Sequence, residues 1–365
     1  MKIQIEQPKL NNLLSTVKRA VGPKNSPHPI LQCITFGSYD AKKLCAQSYN
    51  LELGIFTSVE CQVDETGIVA VPFNLFSNLI STLDPAATVT LETDGMKLLV
   101  KAPTSNYTLQ LAEIEDFPNI DEGEPDSGFT TLHHEFSETI KSAIYAASNE
   151  PSKQVLQGVR LSITDSSIFA CATDGHRLAI TGQDDPDATS VTVPAKALSE
   201  MLRLKGFEGN LSISKNGHAS YSCSGTVITS RLLDGKFPDV EKLVPPTFDS
   251  NVVLNRDDLI AAISRIGILA SFSFSAVKLS YSKNNFTVSH SADYGNGTEN
   301  VQTHGASGKP FTLACNAGYI LDALRSIPSE QIVIQANTPH APFTITPHNA
   351  AALQTHLIMP VQTRE

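Results

Sequence analysis

Three stretches of the chain share one pattern of apolar and polar positions. They are "VPFNLFSNLISTL" from Val71, "VPAKALSEMLRLK" from Val193 and "CNAGYILDALRSI" from Cys315, each 122 residues after the last. In this register Phe76, Leu198 and Ile320 coincide, as do Leu79, Met201 and Ala323, then Ile80, Leu202 and Leu324. Apolar residues at i, i+3 and i+4 predict an amphipathic helix with one buried face. Pro72 and Pro194 are expected in the first turn, where a missing N–H costs nothing. A second helix is predicted ahead of each, in "NNLLSTVKRAV" from Asn11, "SETIKSAIYAA" from Ser137 and "DDLIAAISRIG" from Asp257. There Leu14, Ile140 and Ile260 share a place, as do Val17, Ala143 and Ile263. A third echo closes each unit: "FPNI" at Phe117, "FPDV" at Phe237 and "MPVQ" at Met359. Repeats at this period point to tandem copies of one domain.

Between the helices the pattern alternates with period two. "VRLSITDSSIFACATDGHRLAITG" reads as three strands joined by turns, and "NLSISKNGHASYSCSGTVITSRLL" does the same around Asn216-Gly217. The expected fold class is α+β, three copies of a domain with two helices packed on antiparallel sheets. Boundaries are expected at 1–125, 126–248 and 249–365, where "DEGEPDSG" (121–128) and "PPTFDSN" (245–251) read as linkers.

Composition narrows the function classes. The 365 residues are 41% hydrophobic and 18% charged, ordinary for a globular protein of several domains. No apolar run is long enough to span a membrane. Six scattered cysteines, with no CxxC pair, read as reduced thiols of a cytoplasmic protein and not as a zinc site. A net charge of −10 argues against a nucleic-acid partner unless the basic residues are segregated. Seven of them, Lys18, Arg19, Lys141, Lys196, Arg203, Arg265 and Arg325, fall on the six predicted helices, a placement that solvated helix faces commonly show and that also permits a positive inner face. Acidic residues such as Asp121, Glu122, Glu124, Asp126, Asp184, Asp185 and Asp187 cluster in loops.

The densest chemistry is "ATDGHRLAI" (172–180), where Asp174-Gly175 reads as a hairpin tip with glycine at positive φ. Three readings are open for it: a plain turn, a binding surface, or a metal-dependent hydrolase or lyase using Asp174 and His176. The matching stretch of the first repeat, "QSYNLELGI" (47–55), has no Asp, His or Arg, so the repeat itself does not demand them. No metal-ligand spacing or phosphate-binding loop accompanies the turn, and no cofactor is expected. The glycine-rich "DYGNGTEN" (293–300) reads as a loop.

These residues resemble one family over essentially the whole chain, the bacterial DNA polymerase III β subunit, or replicative sliding clamp. The resemblance rests on "ATDGHRLA" (172–179), "GKFPDVEK" with "LVPP" (235–246), "NAGYILDAL" (316–324) and "LIMPV" (357–361). It implies a non-enzymatic processivity factor: a head-to-tail homodimer forming a ring around duplex DNA, in contact with DNA without reading its sequence. It further implies a groove that binds a short peptide of the DNA polymerase III catalytic subunit, the clamp loader and repair polymerases. The matching groove positions are Leu156, Thr173, Gly175, His176, Arg177, Leu178, Pro238, Lys242, Leu243, Asn316, Tyr319, Met359, Pro360 and Val361. His176, Arg177 and Asn316 are expected to offer hydrogen bonds at its rim. Ile268 and Leu269 match a dimer interface facing Tyr107 and Leu109 of the partner; Lys24 and Asn149 match DNA contacts, joined by the helix residues Lys141, Lys196 and Arg203. Three features depart from the family pattern: Lys242 replaces an arginine, Glu150 a neutral amide, and the tail "VQTRE" is longer and more polar.

Overall fold

A computed structural model describes residues 1–118, 130–132, 134–164, 167–185, 187–204, 209–214, 216–270, 276–283, 285–349 and 353–361. The linker expected at 121–128 and most of the tail lie outside these residues.

Among the described residues one order of elements occurs three times, with five strands between the helices in the first and third repeats and four in the second. The first repeat comprises β1 (Lys2–Glu6), α1 (Gln7–Val17), β2 (Cys33–Ser38), β3 (Lys43–Tyr49), β4 (Leu53–Glu60), β5 (Gln62–Glu65), β6 (Gly67–Pro72), α2 (Phe73–Ser81), β7 (Thr88–Asp94), β8 (Lys97–Ala102) and β9 (Ser105–Gln110). The second comprises β10 (Thr130–Leu132), α3 (His134–Ile144), β11 (Gly158–Ile163), β12 (Ile168–Thr173), β13 (Arg177–Thr181), β14 (Thr189–Pro194), α4 (Ala195–Met201), β15 (Gly209–Ile213), β16 (His218–Cys223) and β17 (Thr226–Arg231). The third comprises β18 (Ser250–Asn255), α5 (Arg256–Ala270), β19 (Ala276–Ser282), β20 (Asn285–Ala292), β21 (Gly295–Val301), β22 (Thr303–Gly308), β23 (Phe311–Asn316), α6 (Ala317–Ser326), β24 (Gln331–Ala336), β25 (Phe343–Pro347) and β26 (Gln354–Ile358).

Packing does not follow the repeats. One compact unit holds Met1–His133 with Ser199–Leu232, the other His134–Leu198 with Leu233–Glu365. The reason lies in the sheets. In the first unit, β17 pairs antiparallel with β4 in an eight-stranded sheet of order β10-β15-β16-β17-β4-β3-β2-β6. In the second, β13 pairs with β26 in a nine-stranded sheet of order β14-β11-β12-β13-β26-β25-β24-β18-β22. Each unit has one further sheet: β5-β1-β7-β8-β9 in the first and β21-β20-β19-β23 in the second. The last strand of one repeat thus completes the sheet of the repeat before it, and the middle repeat is shared out.

The apolar stripes are largely buried, with Leu79 and Leu202 at their half-buried margins. Phe76, Leu198 and Ile320 are all core residues, as are Leu14, Ile140, Val17, Ala143 and Ile263. In the third repeat Leu259 takes the deeper place and Ile260 only packs against the core. Two expectations are corrected. Pro72 and Pro194 end the strands β6 and β14 instead of entering the helices, and Pro72 is the extended N-cap of α2. Among the described α-helices the proline in a first turn is Pro8, because α1 begins four residues before Asn11. The second correction is "DYGNGTEN", most of which is β21, paired with β20 from Ala292↔Gly295 to Phe286↔Val301. One of its glycines lies close under α5: a Cβ on Gly297 would lie 2.9 Å from Leu269 Cδ1 and 3.0 Å from Ile266 Cδ1. Glycine depresses strand propensity, so the sequence pattern hid this strand.

Candidate functional site

The 174–176 turn is built by its own polar groups. Asp174 Oδ1 accepts from the backbone N–H of His176 at 2.8 Å and of Arg177 at 3.0 Å, an Asx turn. Thr173 Oγ1 donates to the Arg177 carbonyl at 2.6 Å and accepts from Gly175 N–H at 3.1 Å. Gly175 has φ +92°, while a Cβ there would meet nothing nearer than Lys153 Nζ at 3.9 Å. Backbone conformation, not space, selects glycine.

The first repeat contains the same device. Asn50 Oδ1 accepts from Glu52 N–H at 3.1 Å and Leu53 N–H at 2.8 Å, and Leu51 takes the positive φ at +76°. Arg231 N–H donates to the Glu52 carbonyl at 3.2 Å, as Met359 N–H does to that of His176 at 2.9 Å. Two of the three repeats thus use an Asx acceptor at this turn, Asn50 and Asp174, a likeness that comparing Asp, His and Arg alone overlooked. What distinguishes the middle repeat is the pair of side chains that follows.

Arg177 is a buried junction, not a rim donor. Its side chain is 10% exposed; Nε donates to Asp174 Oδ2 at 3.0 Å and Nη1 to Asp322 Oδ2 of α6 at 2.6 Å. The guanidinium lies 5.2 Å from the ring centre of Tyr145 and 4.7 Å from that of Tyr319. Two charge-assisted bonds and two aromatic faces leave little of it for a ligand. His176 remains exposed and stacks on Tyr319, with ring centres 6.3 Å apart and planes at 19°. Asn316 caps α6, its Oδ1 accepting from Gly318 N–H at 2.8 Å, which fixes the side chain and leaves its amide N–H groups free to donate at the rim.

Beneath Arg177, Tyr145 Oη lies 2.9 Å from His356 Nδ1. Burial raises the Tyr145 phenol and pushes the His356 imidazole down to about 3. The folded protein thus keeps His356 neutral where the unfolded chain, with the ordinary value of 6.5, takes up a proton. Stability from this group is full above pH 6.5 and declines on acidification towards pH 3, by up to about 1.4 kcal/mol per pH unit. A His356→Gln variant should give a stability–pH curve flatter by one proton in that window. Parallel curves would refute the assignment.

An apolar surface adjoins the turn. Phe169, Cys171, Leu178, Phe237, Val240 and Leu357 form one buried cluster, on which Val155, Leu156, Ile180 and Val244 pack. Burial pushes the Cys171 thiol up, which leaves it an inert filler. Leu243 and Met359 remain 58% and 42% exposed, and Val361 and Pro238 are exposed too, with Pro360 half-buried. Backbone bonds hold the 359–361 segment at both ends, the second from Val361 N–H to the Ala314 carbonyl at 2.7 Å. Lys242 is exposed and paired with Asp239.

The other expected residues lie elsewhere. Lys24, Asn149 and Lys196 are exposed, and among the described residues neither Lys24 nor Lys196 forms an ion pair. Lys141 pairs with Glu138 at 2.7 Å, and Arg203 with Glu200 at 2.9 Å. Glu200 also holds Arg19, and this group borders a cavity of about 340 Å³ in the first unit. Ile268 is exposed and Leu269 half-buried on α5; on β9, Tyr107 is exposed but Leu109 is a core residue.

The hydrolase reading fails on this geometry. Both Asp174 oxygens are committed to the turn and to Arg177, and His176 faces Tyr319. Among the described residues no three His, Cys, Asp or Glu side chains group as a metal site. Sequence reading missed Tyr145, Asp322 and His356. The one available signal was the i, i+3 spacing of Tyr319 and Asp322 on a predicted helix, which puts both on one face.

Similarity to known proteins agrees with the site. Models of the N-terminal, central and C-terminal domains of the DNA polymerase III beta subunit match residues 1–121, 131–239 and 241–362. The beta sliding clamp of Synechococcus elongatus is 30% identical over 378 residues, covering all of both chains. That of Synechocystis is 29% identical over 392 residues, covering 99% of each. Among solved structures, a Pseudomonas aeruginosa sliding clamp bound to griselimycin is 25% identical with a TM-score of 0.91, covering 100% of both chains. The Bacillus subtilis clamp, at 23% identity, a TM-score of 0.92 and the same coverage, shares the fold. Matched from end to end in sequence and in fold, the chain belongs to the DNA polymerase III β subunit family, the sliding clamps, which are processivity factors and not enzymes.

Proposed function

We propose that two copies of the protein close head to tail into a ring around duplex DNA. The observation that carries this reading is a pair of unmatched sheet edges. The last strand of the second repeat, β17, pairs with β4, and the last strand of the third, β26, pairs with β13. By the same rule the last strand of the first repeat, β9, requires the strand equivalent to β4 and β13 in a third repeat, which is β21. Both β9 and β21 are edge strands of their sheets. A second copy supplies each missing partner, and an exposed pairing edge is otherwise a liability. Exposed Tyr107 on β9 and Ile268 with half-buried Leu269 on α5, which packs on β21, stand at this contact, while Leu109 supports it from the core behind β9.

We divide each copy at 1–125, 126–248 and 249–365, a division supported by the starts of β1, β10 and β18 at residues 2, 130 and 250. On the inner face Lys24, Lys141, Lys196, Arg203 and Asn149 meet phosphates without reading bases. Topological linkage makes tight binding unnecessary, which suits a net charge of −10. No described helix is long and apolar enough to cross a membrane, and six free thiols suit the reducing cytoplasm where we place the protein.

The apolar surface beside the 174–176 turn is the docking groove. Leu243, Met359, Val361 and Pro238 form its lips over Leu156 and Leu178, with His176, Tyr319 and Asn316 at the rim. It takes a peptide of the Gln-Leu-x-Leu-Phe kind from the polymerase, clamp loader or repair enzymes. Two apolar anchors entering such a slot supply most of the affinity.

Loaded onto closed circular DNA, the protein should stay bound through a high-salt wash and leave when the circle is cut. Equal loss from circular and linear DNA would mean ordinary charge-driven affinity and would refute the ring.

A further inference from the structure

The outer lip of the groove belongs to a segment without a sheet partner. Hydrogen bonds within Pro238–Val244 are local: Val240 N–H to the Pro238 carbonyl, Leu243 N–H to Val240 and Val244 N–H to Glu241. Phe237 and Val240 insert into the cluster below. The polar tie to the sheet comes from Arg160 on β11, whose Nη1 donates to Glu241 Oε1 at 2.7 Å.

Arg160 is itself held from several sides. Nη2 pairs with Asp184, Nε donates to Ser190 Oγ at 3.2 Å, and its guanidinium carbon lies 5.2 Å from the ring centre of Phe169. Its side chain is only one-fifth exposed. One cation therefore bridges two carboxylates from separate segments, the loop after β13 and the turn that carries Leu243. Without it, the tie is lost and the two carboxylates are left to repel each other.

We propose that Arg160 is a positioning residue for the docking groove: by pinning Glu241 it fixes the segment that presents Pro238, Lys242 and Leu243 to a peptide. This rests on the groove reading above. Loosening the segment lowers the fraction of protein with a formed lip, and apparent affinity falls in proportion. The repulsion gives the effect its signature. Arg160→Gln should be worse than Glu241→Gln, which keeps an acceptor and removes one carboxylate. The double variant should bind better than Arg160→Gln alone.

The test measures binding of a capped, uncharged Gln-Leu-x-Leu-Phe-type peptide to the full-length protein, so that the field of a deleted charge plays no part. We expect about a tenfold loss for Arg160→Gln, two- to threefold for Glu241→Gln, and partial recovery in the double variant. Amide hydrogen exchange should quicken in residues 237–244 of Arg160→Gln by more than its loss of global stability, measured on the same sample, accounts for. If Arg160→Gln does not fold, Glu241→Lys, at a half-exposed position, sets a second cation against Arg160 and should give the tenfold loss. No binding by the unmodified protein would refute the groove reading itself. Binding with Arg160→Gln, or Glu241→Lys in its place, within twofold of the parent would refute the positioning role, as would losses that simply add.

Discussion

Arg177→Ala is expected to cost about 3 kcal/mol of stability and to abolish peptide binding. Breaking a buried ion pair from one side costs about 3–5 kcal/mol, because the remaining charges keep their desolvation penalty. Asp322 retains some water, which places the expected loss at the lower end. The change also removes the plate between the Tyr145 and Tyr319 rings, and Tyr319 is the support on which His176 stacks. Arg177→Lys should recover less than half of the loss, since an ammonium cannot reach two carboxylates and two ring faces together. Denaturant unfolding and peptide titration on the same samples decide the matter. An alanine variant as stable as its parent, or one that still binds, would make Arg177 a bystander.

Ile268→Asp is expected to weaken the dimer by roughly 30- to 1,000-fold, the range for a central interface anchor worth about 2–4 kcal/mol. Ile268 is 65% exposed in the single chain, so monomer stability should change little. Sedimentation of the parent should give twice 39.3 kDa and that of the variant, at micromolar concentration, a species near 39.3 kDa. The DNA-retention experiment links the two properties: a monomeric variant should not remain on circular DNA. A variant that stays dimeric would remove α5 from the proposed contact.

Much of this fold was legible from periodicity. Helical stripes such as Phe76, Leu198 and Ile320 and alternating strands such as β11 and β12 are local patterns, so they could be read without partners. Pairing between repeats was not legible. The match of β13 with β26 leaves no trace in either strand, because register is set by neighbours far along the chain. At the groove, the apolar residues and the turn were readable. Arg177 was misread because its partner Asp322 lies 145 residues away, and an arginine after a turn resembles a surface residue until that partner is found. β21 was misread for a local reason: its glycines lower strand propensity, and one of them, Gly297, lies close under α5.

Sheets completed by a later repeat also set a timetable for biosynthesis. Thr57 of β4 finds its partner Thr226 only after 169 further residues have been made. At about 5–20 residues per second that is roughly 10–30 s during which an open strand edge waits on the ribosome. Thr181 of β13 likewise waits 173 residues for Gln354. Such long-range pairing slows folding and leaves a nascent edge able to capture the wrong strand. Holding-type chaperones are therefore expected to engage this chain throughout its synthesis and to leave only when the last strand closes.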